Sequence, residues 1–138
     1  MKKAFSLKRL IKSFSYASHG FLRVFKEEPN MRVHTTMAFL VITCGFLLKI
    51  NTLEWIFLVF AIGLVIGAEV LNTSIENLVD LATKEYKTKA MIAKDTAAAY
   101  VMVLSLTAAI IGLIIFVPKI IELLWGNNER KFRKDYKK

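Results

Sequence analysis

The sequence is poor in residues that staple, kink or ligate, with one cysteine, two prolines and two histidines in 138 residues. Cys44 stands alone inside an apolar run, which excludes an intrachain disulfide and gives no sign of an oxidising compartment. It reads as a small packing residue. His34 has no second histidine or cysteine at ligand spacing, so it reads as an interfacial hydrogen-bonding residue rather than a zinc ligand. The first thirty residues lack an uninterrupted apolar core with a small-residue cleavage site, so no cleavable signal peptide is expected. Internal repeats and low-complexity linkers are absent as well. Acidic residues are scarce, 11 Asp and Glu against 20 Lys and Arg, giving a net charge of +9. That surplus does not imply a nucleic-acid partner, because eight of the basic residues precede the first apolar span and seven follow the last. Basic flanks on apolar spans face anionic lipid or set orientation.

What the chain has in quantity is apolar residues, 55% of the total. That is too apolar for a soluble domain of this size, and the chain is too short for several domains. The expected fold class is an all-α membrane protein. Leu7, Leu10, Ile11, Phe14, Phe21, Leu22 and Phe25 recur at helical spacing with Arg9, Lys12 and Arg23 on other faces, predicting an amphipathic interfacial helix over residues 1–28. Pro29 suits a first helical turn and would break an interior, so that helix should stop before it. Residues 29–118 are read as three transmembrane helices. The first runs from about Pro29 through Met37 to Leu48, with Arg32 and His34 in its opening turns, followed by a tight connection with Trp55 as an interface anchor. The second begins at Leu53. A polar turn over Leu81 to Lys94 leads into a third, Ala97 to Val117, ended by Pro118 and Lys119. Residues 119–138 are expected to be a frayed basic tail. The positive-inside rule places the N-terminus and the Leu81–Lys94 loop in the cytoplasm, although the basic tail then falls outside.

Within the second span, Glu69, Asn72, Glu76 and Asp80 lie three, four and four residues apart, so they share one helix face within roughly 80°. Leu53 to Ala68 precede them with one charge, Glu54, and rise about 24 Å against a hydrocarbon core of about 30 Å. The carboxylates are therefore expected where headgroups meet water. Carboxylates at membrane depth are costly and usually mark a functional path. Gathered together they repel unless a cation or proton intervenes. Mg²⁺ would satisfy them, since it takes one or two protein carboxylates and completes its shell with phosphate and water. Lysines in the following loop could hold phosphates as point charges. Such a set suits phosphoryl transfer, with one carboxylate receiving the acceptor's proton. Spacing alone leaves open a polar helix end that simply emerges into solvent, though Glu69 is closely flanked by apolar residues.

Glu69, Asn72, Thr73, Glu76 and Asp80, followed by Glu85, Tyr86 and the Lys94–Asp95 pair, resemble the signature of the small prokaryotic diacylglycerol kinase and undecaprenol kinase family. Arg9, Tyr16, Gly20, Glu28 and Arg32 fall at the spacings that family uses, so the resemblance covers roughly residues 9 to 117. No Walker-type glycine-rich loop and no protein-kinase catalytic loop is present. The resemblance implies a homotrimeric bundle with sites between subunits, phosphorylating a membrane lipid alcohol with ATP and Mg²⁺ at the cytoplasmic face of a bacterial cell membrane. It implies that Glu69 is the catalytic base, that Glu28 and Glu76 hold the metal, and that Asn72 orients groups beside the base. Arg9, Tyr16, Glu28, Glu76, Glu85, Tyr86, Lys87, Lys94 and Asp95 would contact nucleotide, with Lys87 at a position where histidine is also found.

Asn30, Met31, Arg32, Val33 and His34 after Glu28 and Pro29, together with the form of the central motif, look more like the branch acting on undecaprenol than the branch acting on diacylglycerol. The physics of the chain does not separate the two lipids, because each presents a hydroxyl at the interface with hydrocarbon below. A different class also stays open: a non-enzymatic oligomeric channel or assembly protein whose acidic stripe lines a pore.

Overall fold

A computed structural model describes residues 6–135 of the chain, with side chains to Trp125. Four helices follow in order: α1 (Leu7–Glu27), α2 (Pro29–Leu47), α3 (Thr52–Ala82) and α4 (Thr88–Asp135). No strand occurs among the described residues.

Helix α1 buries only Val24, leaving Leu10, Ile11, Phe14, Phe21, Leu22 and Phe25 exposed along one side. Such a face needs a membrane or a second protein surface to cover it. The helix stops at Glu28, whose backbone is extended (φ −96°, ψ 117°) because a following proline disfavours helical geometry in the residue before it. Pro29 then opens α2, where its missing N–H costs nothing.

Helices α2 and α3 form a tight hairpin. Lys49 takes a left-handed conformation (φ 51°) in the turn, and Ile50 folds back into the core. Asn51 and Glu54 cap α3 reciprocally: the Glu54 N–H donates to Asn51 Oδ1 at 3.0 Å and the Asn51 N–H donates to Glu54 Oε2 at 2.6 Å. A Cβ at Gly45 would lie 2.9 Å from the Trp55 ring, so only glycine lets α2 approach the indole this closely. Phe46 also packs on Trp55, with ring centres 4.8 Å apart.

Helix α4 packs along α3 more extensively than any other pair of helices. Two ion pairs fix their register: Glu54 with Lys119 at 3.1 Å, and Asp80 with Lys94 at 2.5 Å. The residue numbers fall along one helix as they rise along the other, so the two are antiparallel over their shared length. Ile50, Leu58 and Ile115 form the apolar core near the hairpin end, leaving the other end of the pair to the polar stripe.

Two helices, α3 and the Thr88–Trp125 part of α4, are long and apolar enough to cross a membrane, with mean hydropathies of 2.1 and 2.6. The 31 residues of α3 rise about 46 Å, more than a hydrocarbon core needs, so its polar end extends past one. Helix α2 falls short of the same criterion because Asn30, Arg32 and His34 occupy its opening turns. Two boundaries differ from the expectation. The Leu81–Lys94 turn shrinks to residues 83–87, placing Lys89, Lys94 and Asp95 on α4. Pro118 does not end the last span but lies inside α4. It removes one backbone donor, yet the apolar pattern resumes at Ile120, Ile121, Leu123 and Leu124, and helices in lipid tolerate such a break. Lys119 to Trp125 are consequently helical and not a frayed tail, and the side chains beyond Trp125 lie outside the described residues.

Candidate active site

The polar stripe of α3 turns inward. Glu69, Asn72 and Thr73 are buried, with Glu69 only 1% exposed, while Glu76 is half-buried and Asp80 exposed. A fully buried carboxylate is rare unless paired, because losing water costs an ionised group heavily. Here no positive partner reaches it: among the described residues, Glu69 Oε1 has no hydrogen-bond partner. Glu28, between α1 and α2, and Glu76, two turns along α3, instead lie close enough for their carboxylates to repel it. The α1–α2 junction and α3 thus both contribute negative charge to the surroundings of Glu69.

The helix organises the polar groups beside them. Asn72 Nδ2 donates to Glu76 Oε1 at 2.9 Å, an i,i+4 contact that the helical repeat supplies directly. The Thr73 hydroxyl donates to the Glu69 carbonyl at 3.0 Å, and Asn77 Nδ2 donates to the Thr73 carbonyl at 2.8 Å. Asn77 was not among the sequence-predicted residues, and Thr73 entered only as part of the family signature, with no role. The i,i+4 recurrence of Thr73 after Glu69 and Asn77 after Thr73 was the available signal for them.

Above this buried layer sits an exposed, mixed-charge one. Lys94 pairs with Asp80, Lys87 with Glu85 at 3.5 Å, and the Tyr86 hydroxyl donates to Met91 Sδ at 3.1 Å. Asp95 is exposed on the first turns of α4. Arg9 and Tyr16 stand exposed on α1, and no hydrogen bond or ion pair among the described residues ties either of them to Glu28, Glu69 or Glu76. The structure therefore puts Glu69, Asn72 and Glu76 on one buried-to-half-buried face with Glu28 near enough to act on Glu69 by charge, leaves Glu85, Tyr86, Lys87 and Asp95 exposed with Lys94 half-buried, and leaves Arg9 and Tyr16 exposed on α1. No group of three His, Cys, Asp or Glu among the described residues is placed to hold a metal ion unaided.

A buried glutamate with half-buried and exposed charged groups beyond it, on membrane-length helices, marks a membrane protein with its polar groups gathered at one end of its spans. The model of the prokaryotic diacylglycerol kinase family matches residues 15–116. An undecaprenol kinase of Bacillus subtilis is 40% identical over 114 residues, covering 83% of this chain and 93% of that protein. Diacylglycerol kinases of Synechocystis and of Helicobacter pylori strain 26695 are 35% and 33% identical, covering 83% and 90% of this chain and 66% and 87% of their own lengths. The chain belongs to the prokaryotic diacylglycerol kinase family. It is a membrane lipid kinase that draws its phosphoryl group from ATP.

Proposed function

We propose that the chain phosphorylates undecaprenol, with Glu69 as the general base. The observation that carries this reading is the buried Glu69 carboxylate, unpartnered at Oε1 and flanked by Glu28 and Glu76. A carboxylate so placed is a ready acceptor for a proton from an alcohol that arrives through hydrocarbon. As the lipid hydroxyl attacks the γ-phosphorus, its proton passes to Glu69, a lipid O–P bond forms, and the bond from that phosphorus to the bridging oxygen breaks, releasing ADP. Asn72 orients the site by holding Glu76 through its amide nitrogen and keeping its oxygen free.

Mg²⁺ suits the chemistry of Glu28 and Glu76, whose carboxylates offer hard oxygen donors, beside a Glu69 oxygen that is buried without a partner. The ion would neutralise charge on the phosphates. Lys94, Lys87 and the neighbouring Glu85, Tyr86 and Asp95 lie on the water side, where nucleotide would approach. Arg9 and Tyr16 would reach it from another subunit of a homotrimer whose sites lie between subunits. In this assembly α2 serves as a third span, its polar opening turns at the interface and against neighbouring helices, and the site faces the cytoplasm.

Undecaprenol is favoured by the 40% identity to an undecaprenol kinase, against 35% and 33% to the two diacylglycerol kinases, and by Asn30 and Met31 after Pro29. Purified protein given γ-labelled ATP, Mg²⁺ and either lipid decides between them. Label should enter undecaprenol preferentially; label chiefly in diacylglycerol reverses the substrate assignment, and label in neither lipid removes the mechanism proposed for Glu69.

A further inference from the structure

Two hollows border α3, a larger one of about 770 Å³ against Ala17 to Leu22 of α1 and a smaller one of about 290 Å³ against α4. Ser105, on α4, lines neither, yet its hydroxyl is buried and has no hydrogen-bond partner among the described residues. A serine or threonine inside a helix commonly donates to the carbonyl four residues back. Thr96 and Thr107 of the same helix do so, to Ile92 and Val103 at 2.8 and 2.9 Å; Ser105 does not. A buried hydroxyl left unpaired is costly, so its partner is to be sought on the helix packed against it.

The register of α3 against α4 fixes what lies opposite. Glu54 meets Lys119 at one end of the pair, and Asp80 meets Lys94 at the other. Glu69 is fifteen residues after Glu54 and Ser105 fourteen before Lys119, rises of about 22 and 21 Å. From the other end each is eleven residues along, about 16 Å. Both measures put the two residues at one height. Around the axes, at about 100° per residue, Glu69 lies roughly 60° from Glu54 and 20° from Asp80, while Ser105 lies roughly 40° from Lys119 and 20° from Lys94. Each therefore belongs to the side of its helix that the ion pairs turn toward the other.

Glu69 Oε1 is the matching orphan, a buried acceptor without a donor. The other polar groups around it do not supply one: Glu28 and Glu76 are carboxylates, Asn72 directs its NH₂ to Glu76, and the Thr73 hydroxyl is spent on the Glu69 carbonyl. Helix α4 is the remaining side, and Ser105 is the hydroxyl at the right height. The two side chains are not hydrogen-bonded in the structure, but packed helix axes lie about 8–10 Å apart, a gap that a glutamate and a serine at one height span by a change of rotamer.

We propose that Ser105 is a positioning residue for the base: its hydroxyl donates to one oxygen of the Glu69 carboxylate and leaves the other to take the lipid's proton. The inference rests on Glu69 being the base and adds the residue that aims it. A carboxylate free to swing spends little time in line with the attacking alcohol, and misplacement by about 1 Å costs on the order of 10² in rate.

The test uses the full-length protein in lipid nanodiscs, with nucleotide binding as the check that each variant is folded. Ser105→Ala should lower kcat for lipid phosphorylation roughly ten- to a hundredfold with the KM for ATP unchanged, and Ser105→Thr, which keeps the hydroxyl, should recover most of the rate. Infrared difference spectra need no turnover. The Glu69 carboxylate band, isolated by subtracting the matching Glu69→Gln spectrum, should shift in Ser105→Ala and return toward its wild-type position in Ser105→Thr. Wild-type kcat in Ser105→Ala overturns the proposal, and so does a Glu69 band that stays in place, which would leave Ser105 a packing residue. Both results are read beside an inactive Glu69→Gln; if Glu69→Gln keeps its activity, the base reading itself fails and the positioning role falls with it.

Discussion

A glutamate buried to 1% exposure with an unpartnered oxygen destabilises the fold that contains it, and a glutamine would relieve the charge while preserving the shape. Glu69→Gln should therefore fold and bind ATP at least as well as the wild type, yet lose turnover by roughly 10² to 10⁴, the contribution usual for general base catalysis. Lipid phosphorylation measured beside nucleotide binding on the same preparation separates these; retention of most of the activity would exclude Glu69 as the base. Glu76 plays a different part. In Glu76→Gln the side-chain oxygen can still accept from Asn72, so the local hydrogen bond survives while the charge is lost. The expected outcome is a higher Mg²⁺ requirement at half-maximal rate, with Glu28→Gln behaving alike, and an unchanged Mg²⁺ dependence in both would count against a ligand role. Glu69, Asn72, Glu76 and Asp80 were legible in the sequence as one face, because the helical period alone fixes it. The approach of Glu28 was not. It depends on how the α1–α2 junction meets α3, and no spacing within one helix encodes a contact across forty residues; only the family resemblance pointed to it. The hydrogen bonds of Thr73 and Asn77 went unread for the opposite reason, since polar residues on a helix end are as often solvated.

The elements show a division between an end that holds the fold and an end that carries the polar stripe. Gly45, Phe46, Trp55, the Asn51–Glu54 cap and the Glu54–Lys119 pair all lie at the hairpin end, with the apolar core beside them. Glu54 serves twice there, closing the cap and meeting Lys119, both side chains being about a quarter exposed. Gly45→Ala forces a Cβ to within 2.9 Å of the indole and 3.1 Å of Ile50, and the ring cannot retreat without disturbing Phe46 and Ile50. Overpacking of this kind costs about 1–3 kcal/mol. Thermal unfolding in detergent should show a lowered Tm for Gly45→Ala, partly restored by adding Trp55→Phe, while kcat at low temperature stays near wild type because the site is at the other end. An unchanged Tm would mean that the hairpin opens easily at this point. From the sequence, the start of α3, the Pro29 boundary and the tight α2–α3 connection could be read, each marked by local chemistry. The ends of the 83–87 turn and of the last span could not. Lysines suggest a loop although they are good helix formers, and Pro118 suggests a terminator although an apolar run continues beyond it.

At the scale of the whole molecule, the single chain leaves a large apolar surface to be covered. Its large apolar side chains face outward along all four helices, as a bilayer would require, and α1 holds Arg9 and Tyr16 exposed. Ala17 to Leu22 border Val70 of α3 across the larger hollow, and Arg9 lies eight residues before Ala17, about 12 Å farther along the helix axis. In the homotrimer proposed above, an arginine so placed would serve a neighbour's site. In a closed ring of three identical subunits each site would then combine the Glu69 of one chain with the Arg9 of the next. Preparations of Glu69→Gln alone and of Arg9→Ala alone should each be inactive. When equal amounts are unfolded together and reassembled, a site works only if one neighbour supplies an intact Glu69 and the other an intact Arg9, each with even odds, so about a quarter of wild-type activity should return. If both residues act within one chain, mixing restores nothing, because no subunit in the mixture carries both.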